Sequence, residues 1–325
     1  MPSMTEKDNV GTRVGDIENV VIAGAGTMGY SMAQIFARYG YSVCLYDLAE
    51  KALDNARKRI AQGTDNLVED GSLTRSEGDA LLTRLTYTTD KACFATCDLM
   101  VESIVENLDI KRSFYAEMSA LARPDALLAT NTSGLSINAI ATAVQNPERF
   151  CGMHWFNPSN IVPLIEIVRN DATSNETAET VRRVALSLGK KPVVVQKDVP
   201  GFVANRIQFA VLREALHLVE TGVVDERGVD DVMRYGLGLR YACLGPLEVA
   251  DFGGLDTFHH IASYLNADLC NSGEPSPLLT ELYENGAYGV KSGRGFYDYS
   301  DGRDVEATRE RDAAYLAVAR ALGEM

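Results

Sequence analysis

The sequence lacks the features of a membrane-spanning or nucleic-acid-binding protein. No apolar run approaches the roughly 18 consecutive residues that a helix needs to cross a bilayer. Basic residues are few, since 31 Lys and Arg stand against 45 Asp and Glu and leave a formal net charge of −14. A chain this acidic is repelled by nucleic acid and by the anionic face of a membrane, so we expect neither as a partner.

The sequence also lacks a secretion signal and a metal-ligand pattern. The first 19 residues are polar and contain no apolar signal core, which makes the cytoplasm the expected location. The six cysteines form no Cys-x-x-Cys pair and no zinc-ligand spacing, so we interpret them as reduced, buried thiols and expect no metal. They are Cys44, Cys93, Cys97, Cys151, Cys243 and Cys270.

The patterns that are present divide the 325-residue chain into two parts, as its length suggests. Up to about residue 197, short apolar segments typical of buried strands alternate with helical patterns. This alternation predicts an α/β doubly wound (Rossmann) domain over residues 1–197, of which 1–14 form a loose tail. Only helical patterns follow, so residues 198–325 are predicted to form an all-helical domain. The predicted strands cover residues 19–23, 41–47, 99–104, 127–130, 150–154, 164–168 and 192–195.

A glycine-rich turn lies between the first predicted strand and the first predicted helix. Gly24 permits the tight turn, Gly26 lets a pyrophosphate approach the backbone, and Gly29 lets the helix pack close to the sheet. Thr27 and Met28 stand at the helix start, where free N–H groups and the helix dipole attract a phosphate. The turn therefore predicts a dinucleotide site; the alternative is an ordinary turn between strand and helix.

An acidic residue closes the second predicted strand, 23 positions after Gly24. The carboxylate of Asp47 can accept hydrogen bonds from the adenosine ribose and would repel the 2′-phosphate of NADP. Leu48 and Ala49 follow, so no arginine is at hand to hold such a phosphate. The sequence predicts NAD as the cofactor; the alternative is that Asp47 only caps a helix.

One of the four histidines is placed where a catalytic base is needed. Oxidation of an alcohol by NAD requires a group with a pKa near neutrality to take the hydroxyl proton, which favours histidine. His154 ends a predicted strand, whereas His217, His259 and His260 lie in helical patterns. Glu166 is a lone acid in an apolar strand, and such an acid needs a partner. We predict that it orients His154; the alternative is that the backbone satisfies the histidine and the glutamate lies at a sheet edge.

Seven ordered motifs closely resemble the L-3-hydroxyacyl-CoA dehydrogenase family over about residues 18–300. Together they are far more specific than any one of them. The resemblance implies an NAD-dependent dehydrogenase that acts on a CH–OH group, with fatty acid metabolism as the setting. The motifs are the glycine turn, Val101-Glu-Ser-Ile-Val-Glu106-Asn, Asn131-Thr-Ser133, Gly152-Met-His154-Trp-Phe-Asn-Pro, Glu166, Asp198-Val-Pro-Gly-Phe-Val-Ala-Asn205-Arg and Lys291-Ser-Gly-Arg-Gly-Phe-Tyr-Asp-Tyr.

The resemblance also implies roles for individual residues. It implies a catalytic dyad of His154 and Glu166. Ser133 would form a hydrogen bond with the reacting oxygen, and Asn205 would position the substrate. The alternative is that Ser133 is only a turn residue and Asn205 only caps a helix. The helical domain of this family usually forms a two-fold dimer. The resemblance therefore implies a homodimer here. Four further residues match family positions at the cofactor, namely Glu106, Lys111, Asn131 and Lys291.

Departures from the family pattern concern the substrate. Family members that use CoA carry lysines near the CoA phosphates in a helical hairpin after the second strand. Residues 61–81 here hold five acidic residues against Arg75 alone, a net charge of −4. Trp155 follows the expected base and is either a core residue or a substrate contact. Arg240, in a segment that resembles relatives acting on small free acids, is either a carboxylate ligand or a surface ion-pair partner.

The leading expectation is reversible oxidation of an L-3-hydroxyacyl-CoA to the 3-ketoacyl-CoA. The alternative is a small substrate without CoA: a free hydroxy acid such as gulonate or carnitine, or a pyridine-carboxylate alcohol or aldehyde. A non-catalytic NAD-binding protein would not need the four catalytic residues together. The 6-phosphogluconate and β-hydroxyacid dehydrogenases share the architecture but use a catalytic lysine, which the helix after Pro200 lacks.

Overall fold

Two compact units make up the structure, a computed structural model that describes residues 10–11, 14–15 and 17–323. The first unit ends at Val203 and the second begins at Ala204. This boundary lies a few residues beyond the position near 197 that the sequence indicates, because Phe202 is buried in the core of the first unit. Most of the expected tail, residues 1–14, lies outside the described residues, and Val14 packs against the core.

The first unit is built on an eight-stranded sheet. The spatial order is β3-β2-β1-β4-β5-β6-β7-β8, and all neighbours are parallel except β6 and β7. The first six strands in this order have the arrangement of a dinucleotide-binding doubly wound fold, which confirms the predicted α/β class. The strands are β1 (Asn19–Ala23), β2 (Ser42–Tyr46), β3 (Leu85–Thr88), β4 (Leu99–Glu102), β5 (Leu127–Thr130), β6 (Phe150–Trp155), β7 (Leu164–Arg169) and β8 (Lys191–Val195).

Helices and strands of this unit enclose two hydrophobic clusters. Along β1, Val20 and Ile22 enter one cluster, and Val21 and Ala23 enter the other, because successive side chains of a strand face opposite ways. Burial on both faces explains why the strands give continuous apolar runs in the sequence. The helices described in this unit are α1 (Thr27–Arg38), α2 (Glu50–Glu69), α3 (Arg75–Thr83), α4 (Leu108–Leu121), α5 (Ile137–Ala141) and α6 (Asn175–Ser187).

The direction of the strands determines where a site can form. β1 pairs with β2 on one side and with β4 on the other, so the chain reverses its progression across the sheet at β1. Ligands of such sheets bind outside the carboxyl ends of the strands at this point. The glycine turn after β1, the residues after β4 and β5, and His154 near the end of β6 all lie at this edge.

The second unit is helical, as predicted. Among its described residues only Leu216 is buried, and many large apolar side chains are exposed. The hydroxyl of Tyr297, in the segment before the last helix, donates to the carboxylate of Asp230 in the helix Glu226–Val232 at 2.7 Å. No helix within the described ranges is long and apolar enough to span a bilayer. The helices are α7 (Ala204–Glu220), α8 (Glu226–Val232), a π-helical turn (Met233–Leu237), α9 (Gly238–Cys243), α10 (Pro246–Gly253), α11 (Leu255–Leu265), α12 (Pro277–Glu284) and α13 (Arg303–Ala321).

Candidate active site

The glycine turn after β1 leaves open space beside its backbone. Gly24 has a φ of 104°, a conformation that favours glycine, and an added Cβ there would overlap the Ser103 carbonyl. A Cβ at Gly29 would overlap the Gly24 carbonyl, so α1 starts tight against the turn. At Gly26, by contrast, no atom lies within 4 Å of an added Cβ. This open space at the start of α1 fits a phosphate group.

Asp47 follows β2 and is fixed next to the glycine turn. Its Oδ2 accepts from the Ala25 N–H at 2.8 Å, and its Oδ1 accepts from the Ala49 N–H at 2.9 Å. Each carboxylate oxygen keeps a lone pair for a ribose hydroxyl. A cavity of about 720 Å³ adjoins these groups and is lined by residues that include Gly26, Asp47 and Phe114. Turn, carboxylate and cavity together fit the phosphates and the adenosine of NAD.

The position of Asp47 predicts the preference between the two nicotinamide cofactors. We expect NAD(H) to bind at least about tenfold more tightly than NADP(H), because the 2′-phosphate would meet this carboxylate. Titration calorimetry with each cofactor measures the ratio. In an Asp47→Ser variant, the repulsion is removed and the ratio should narrow. Equal affinities of the unaltered protein for the two cofactors contradict the assignment.

His154 and Glu166 form a buried pair. β6 and β7 are antiparallel, and their register places the two residues directly opposite each other. The imidazole Nδ1 lies 2.9 Å from the carboxylate Oε2, and both side chains are buried. A carboxylate bonded to an Nδ1–H fixes the neutral ring with its lone pair on Nε2. The structure thus brings together the two residues for which the sequence predicts a base and its orienting acid.

Residues 202–203 contact both members of this pair, and the sequence analysis did not identify them as part of the site. The Val203 N–H donates to the second carboxylate oxygen of Glu166, Oε1, at 3.0 Å. The preceding residue, Phe202, has a φ of 52° and packs its ring 5.6 Å from the His154 ring. A bulky residue in the left-handed region is strained, and such strain is held where surrounding contacts require it. The Pro-Gly-Phe-Val sequence of the motif after Asp198 was the available signal.

A buried ion network lies at the carboxyl end of β4. Glu102 is fully buried, and Lys111 Nζ lies 2.5 Å from its Oε1. The other oxygen, Oε2, accepts from the Thr130 hydroxyl at 2.7 Å. The same ammonium lies 3.3 Å from Glu106 Oε2. Lys111 is only 1% exposed, because the pairing with Glu102 holds it inside, and its predicted place at the cofactor stays a prediction.

Glu106 connects this network to the loop after β5. Its Oε1 accepts from the Thr132 hydroxyl at 2.5 Å and from the Ser133 N–H at 3.0 Å, and the Ser133 hydroxyl lies 3.4 Å away. Burial would raise the pKa of Glu106, but the Thr132 hydrogen bond, the charge of Lys111 and the Ser133 N–H outweigh it and lower that pKa. An ionised Glu106 therefore holds Ser133 in place.

Asn131 joins the ends of three neighbouring strands. Its Nδ2 donates to the Ser103 hydroxyl after β4 at 3.3 Å, and its Oδ1 accepts from the Trp155 N–H of β6 at 2.8 Å. Asn131 itself follows β5. The predicted cofactor residue thus fixes the relative position of the strand ends that carry Glu106, Ser133 and His154.

Trp155 belongs to the core. Its side chain is buried, and its ring lies 6.0 Å from the ring of Phe36 in α1. Successive side chains of β6 face opposite ways, so Trp155 faces away from His154. Of the two alternatives that the sequence leaves open for Trp155, the structure favours the core residue.

Three predicted site residues belong to the helical unit. Asn205 lies in the first turn of α7, Arg240 is exposed in α9, and Lys291 is exposed in a short 3₁₀ turn. Their roles remain predictions. Within the described ranges, no three His, Cys, Asp or Glu side chains gather into a group that could hold a metal ion.

Comparison with known families matches both units in order. Residues 19–199 match the NAD-binding domain of 3-hydroxyacyl-CoA dehydrogenase, and residues 201–299 match its C-terminal domain. Among curated relatives, 5-formyl-3-hydroxy-2-methylpyridine 4-carboxylate 5-dehydrogenase of Mesorhizobium japonicum is 38% identical over 94% of this chain and 98% of its own. A probable 3-hydroxybutyryl-CoA dehydrogenase of Deinococcus radiodurans is 41% identical over 86% of this chain and 99% of its own.

Solved structures give the same family. A 5-formyl-3-hydroxy-2-methylpyridine 4-carboxylic acid (FHMPC) 5-dehydrogenase, described as an NAD⁺-dependent dismutase, has a TM-score of 0.87 and 37% identity and covers 94% of this chain and 99% of that one. The (S)-3-hydroxybutyryl-CoA dehydrogenase of Ralstonia eutropha has a TM-score of 0.75 and 33% identity and covers 88% of this chain and 100% of that one. The protein belongs to the 3-hydroxyacyl-CoA dehydrogenase family of NAD-dependent dehydrogenases.

Proposed function

We propose that this enzyme oxidises an aldehyde or hydroxymethyl group on a small aromatic carboxylic acid of the pyridine-carboxylate type, with NAD as hydride acceptor. The observation that carries the reaction is the buried His154–Glu166 pair at the edge where NAD-binding sheets hold their ligands. In this proposal, the substrate without CoA takes precedence over the L-3-hydroxyacyl-CoA that the sequence analysis placed first.

His154 is the general base of the proposed reaction. Its Nδ1 donates to Glu166, so Nε2 takes the proton from the substrate hydroxyl or from the hydrated aldehyde. Glu166 stabilises the imidazolium that forms, and the Val203 N–H keeps this carboxylate oriented. NAD⁺, when bound, supplies the hydride acceptor. Ser133, fixed by Glu106, is assigned to the reacting oxygen.

The remaining roles follow from the residues already described. We assign the NAD phosphates to the glycine turn and the adenosine ribose to Asp47. Glu106 and Asn131 are assigned to the nicotinamide ribose, and Lys111 acts there only through Glu106. Asn205 is assigned to substrate positioning and Lys291 to the cofactor. The residues of the glycine turn are Gly24, Gly26, Thr27, Met28 and Gly29.

The charges of residues 61–81, which include the end of α2 and most of α3, support a substrate without CoA. Arg75 is the only basic residue between positions 61 and 81, and its Nη1 lies 2.8 Å from Asp65 Oδ1. This cation is thus already paired within a segment of net charge −4. The phosphates of CoA would meet a negative potential here.

The comparisons lend support in the same direction. The FHMPC dehydrogenase matches more of this chain than the Ralstonia 3-hydroxybutyryl-CoA dehydrogenase does, 94% against 88%, with a TM-score of 0.87 against 0.75. Sequence identity does not separate the two classes, because the probable Deinococcus enzyme reaches 41% over a shorter stretch. The extent of structural agreement and the negative charge of residues 61–81 are therefore the arguments for the pyridine carboxylate.

The substrate carboxylate gives a direct test through Arg240. We expect NADH formation from FHMPC, and a matched pyridine aldehyde without the carboxylate should have a kcat/KM lower by about 10- to 10²-fold, the effect of one charged hydrogen-bonded pair. In an Arg240→Gln variant this difference should largely disappear. Arg227→Gln in the same unit is the matched control. Equal kcat/KM for both aldehydes with the unaltered enzyme excludes a carboxylate ligand.

We further propose a cytoplasmic homodimer formed through the helical unit. Large apolar side chains are exposed along several of its helices, and exposed apolar surface of this extent is typical of an interface. Phe209, Leu247, Phe252 and Tyr264 are examples. Sedimentation equilibrium should give the mass of two chains.

A further inference from the structure

An eight-residue connection, residues 156–163, joins the strand of His154 to the strand of Glu166. Its first residue, Phe156, places its ring 4.3 Å from the His154 ring. The Ile161 and Val162 N–H groups both donate to the Pro158 carbonyl, which folds the connection into a turn. The conformation of this connection therefore affects what surrounds the proposed base.

Lys190 binds the backbone of this connection through its ammonium group. Its Nζ donates to the Ser159 carbonyl at 2.5 Å and to the Val162 carbonyl at 3.0 Å. The ammonium also lies 5.4 Å from the centroid of the Trp155 ring, a cation–π distance. On the other side, the Ser159 hydroxyl donates to the Ser31 hydroxyl of α1 at 2.6 Å. The connection is thus tied to α1 and to the residue that directly precedes β8.

The burial of Lys190 is unusual for a cation. The side chain is 6% exposed, and no carboxylate among the described residues lies within ion-pair distance of it. A buried charge without an opposite charge is costly, and two carbonyls and an indole ring compensate it only in part. An apolar side chain would fill the space without this cost but could not hold the two carbonyls.

We propose that Lys190 is a positioning residue of the active site, whose ammonium group fixes the 156–163 connection and through it the packing of Phe156 against His154. This inference rests on the proposed dehydrogenase function. Lys190 contacts neither substrate nor cofactor in this proposal; it acts through the backbone carbonyls of the connection.

The charge state of Lys190 gives the inference a measurable consequence. Burial and, to a smaller extent, the positive charge of Arg38 lower the pKa of the Lys190 ammonium to about 8. Loss of the proton removes one donor and the charge, and hydrogen bonds from a neutral amine are weaker. The other titratable groups nearby are Arg38, whose charge acts on Lys190, Tyr39, whose hydroxyl lies beside Gly189, and His154, which precedes Trp155.

Fluorescence tests the placement of Lys190 without any assay of activity. Trp155 is the only tryptophan of the chain, so its emission reports this environment alone. The emission of the unaltered protein should change with a midpoint near pH 8, where Lys190 titrates. His154→Ala and Tyr39→Phe variants should keep the transition, and Lys190→Met should lose it. A transition that persists in Lys190→Met, or is absent from the unaltered protein, overturns the inference.

Kinetics test the positioning role. Lys190→Met should lower kcat by about 10- to 10²-fold, the effect of a small misplacement of catalytic groups, while the Kd of NAD stays unchanged. Lys190→Arg keeps the charge and should restore much of kcat. We expect kcat of the unaltered enzyme to fall above pH 8, where Lys190 loses its proton, and this fall should be absent in Lys190→Arg. Unaltered kcat in Lys190→Met overturns the inference.

The two measurements separate this inference from the proposed function. If the pyridine-carboxylate substrate is wrong, the enzyme shows no turnover with it, but the Trp155 transition and its loss in Lys190→Met remain. If Lys190→Met does not fold, the pH titration of the unaltered protein and the Lys190→Arg pH profile still decide. A flat kcat profile above pH 8 in the unaltered enzyme contradicts the positioning role.

Discussion

Replacement of His154 by alanine is expected to lower kcat by about 10²- to 10⁴-fold, because a general base contributes this much to proton transfer. The Kd of NAD should stay close to that of the unaltered enzyme, since the glycine turn and Asp47 lie after other strands. Steady-state NADH formation measures kcat, and titration calorimetry measures the Kd. The substitution leaves Glu166 without its Nδ1 partner, although the Val203 N–H still donates to it.

His259→Ala is the matched control for this variant. His259 is exposed on α11 and should be replaceable without a change in kcat. Glu166→Gln should fall between the two, since the amide keeps the shape of the side chain but cannot stabilise an imidazolium. Near-normal turnover of His154→Ala would remove His154 from the mechanism.

Replacement of Lys111 by methionine is expected to cause the largest loss of stability. The Lys111 ammonium and the Glu102 carboxylate are both almost completely buried, and methionine would leave that carboxylate without an opposite charge. Removal of one partner of such a pair lowers the free energy of unfolding by about 3–5 kcal/mol. In a protein of this size, the loss corresponds to a Tm lower by about 4–7 °C. Differential scanning calorimetry measures both quantities.

The exposed pair Lys91–Glu117 provides the control. Its Nζ–Oε1 distance is 2.6 Å, similar to that of the buried pair, but both side chains are about half exposed. Lys91→Met should hardly change the Tm, because water screens the interaction and solvates the remaining carboxylate. Equal Tm values for Lys111→Met and the unaltered protein would show that the buried network does not stabilise the fold.

Sequence alone locates most of the strands around the site because buried strands give uninterrupted apolar runs. β1 and β5 have the bounds that the pattern predicts. β3 gives no such signal: it is four residues long, contains two threonines and lies at the edge of the sheet. The antiparallel direction of β7 is also hidden, because it depends on how the 156–163 connection turns and not on the composition of the strand.

The sequence is less informative about which charged or aromatic side chains reach the surface. The sequence neighbours of Lys111 are those of a solvent-exposed helix residue. Its burial depends on Glu102, which lies in another element. Trp155 stands next to His154 in the chain, but strand geometry sends it to the opposite face. The positive φ of Phe202 and the contacts of Lys190 likewise follow from tertiary packing and have no counterpart in a linear pattern.

The measurement that most directly tests the central claim is the ratio of kcat/KM for two substrates of one enzyme preparation: FHMPC with NAD⁺, and acetoacetyl-CoA with NADH. We predict a ratio of at least about 10² in favour of FHMPC, because residues 61–81 have a net charge of −4 and their one basic residue, Arg75, is already paired with Asp65. Discrimination of this size needs only a few unmatched polar groups. A higher kcat/KM for acetoacetyl-CoA would contradict the proposal. The substrate would then be a CoA ester, as in the 3-hydroxybutyryl-CoA dehydrogenases of the family.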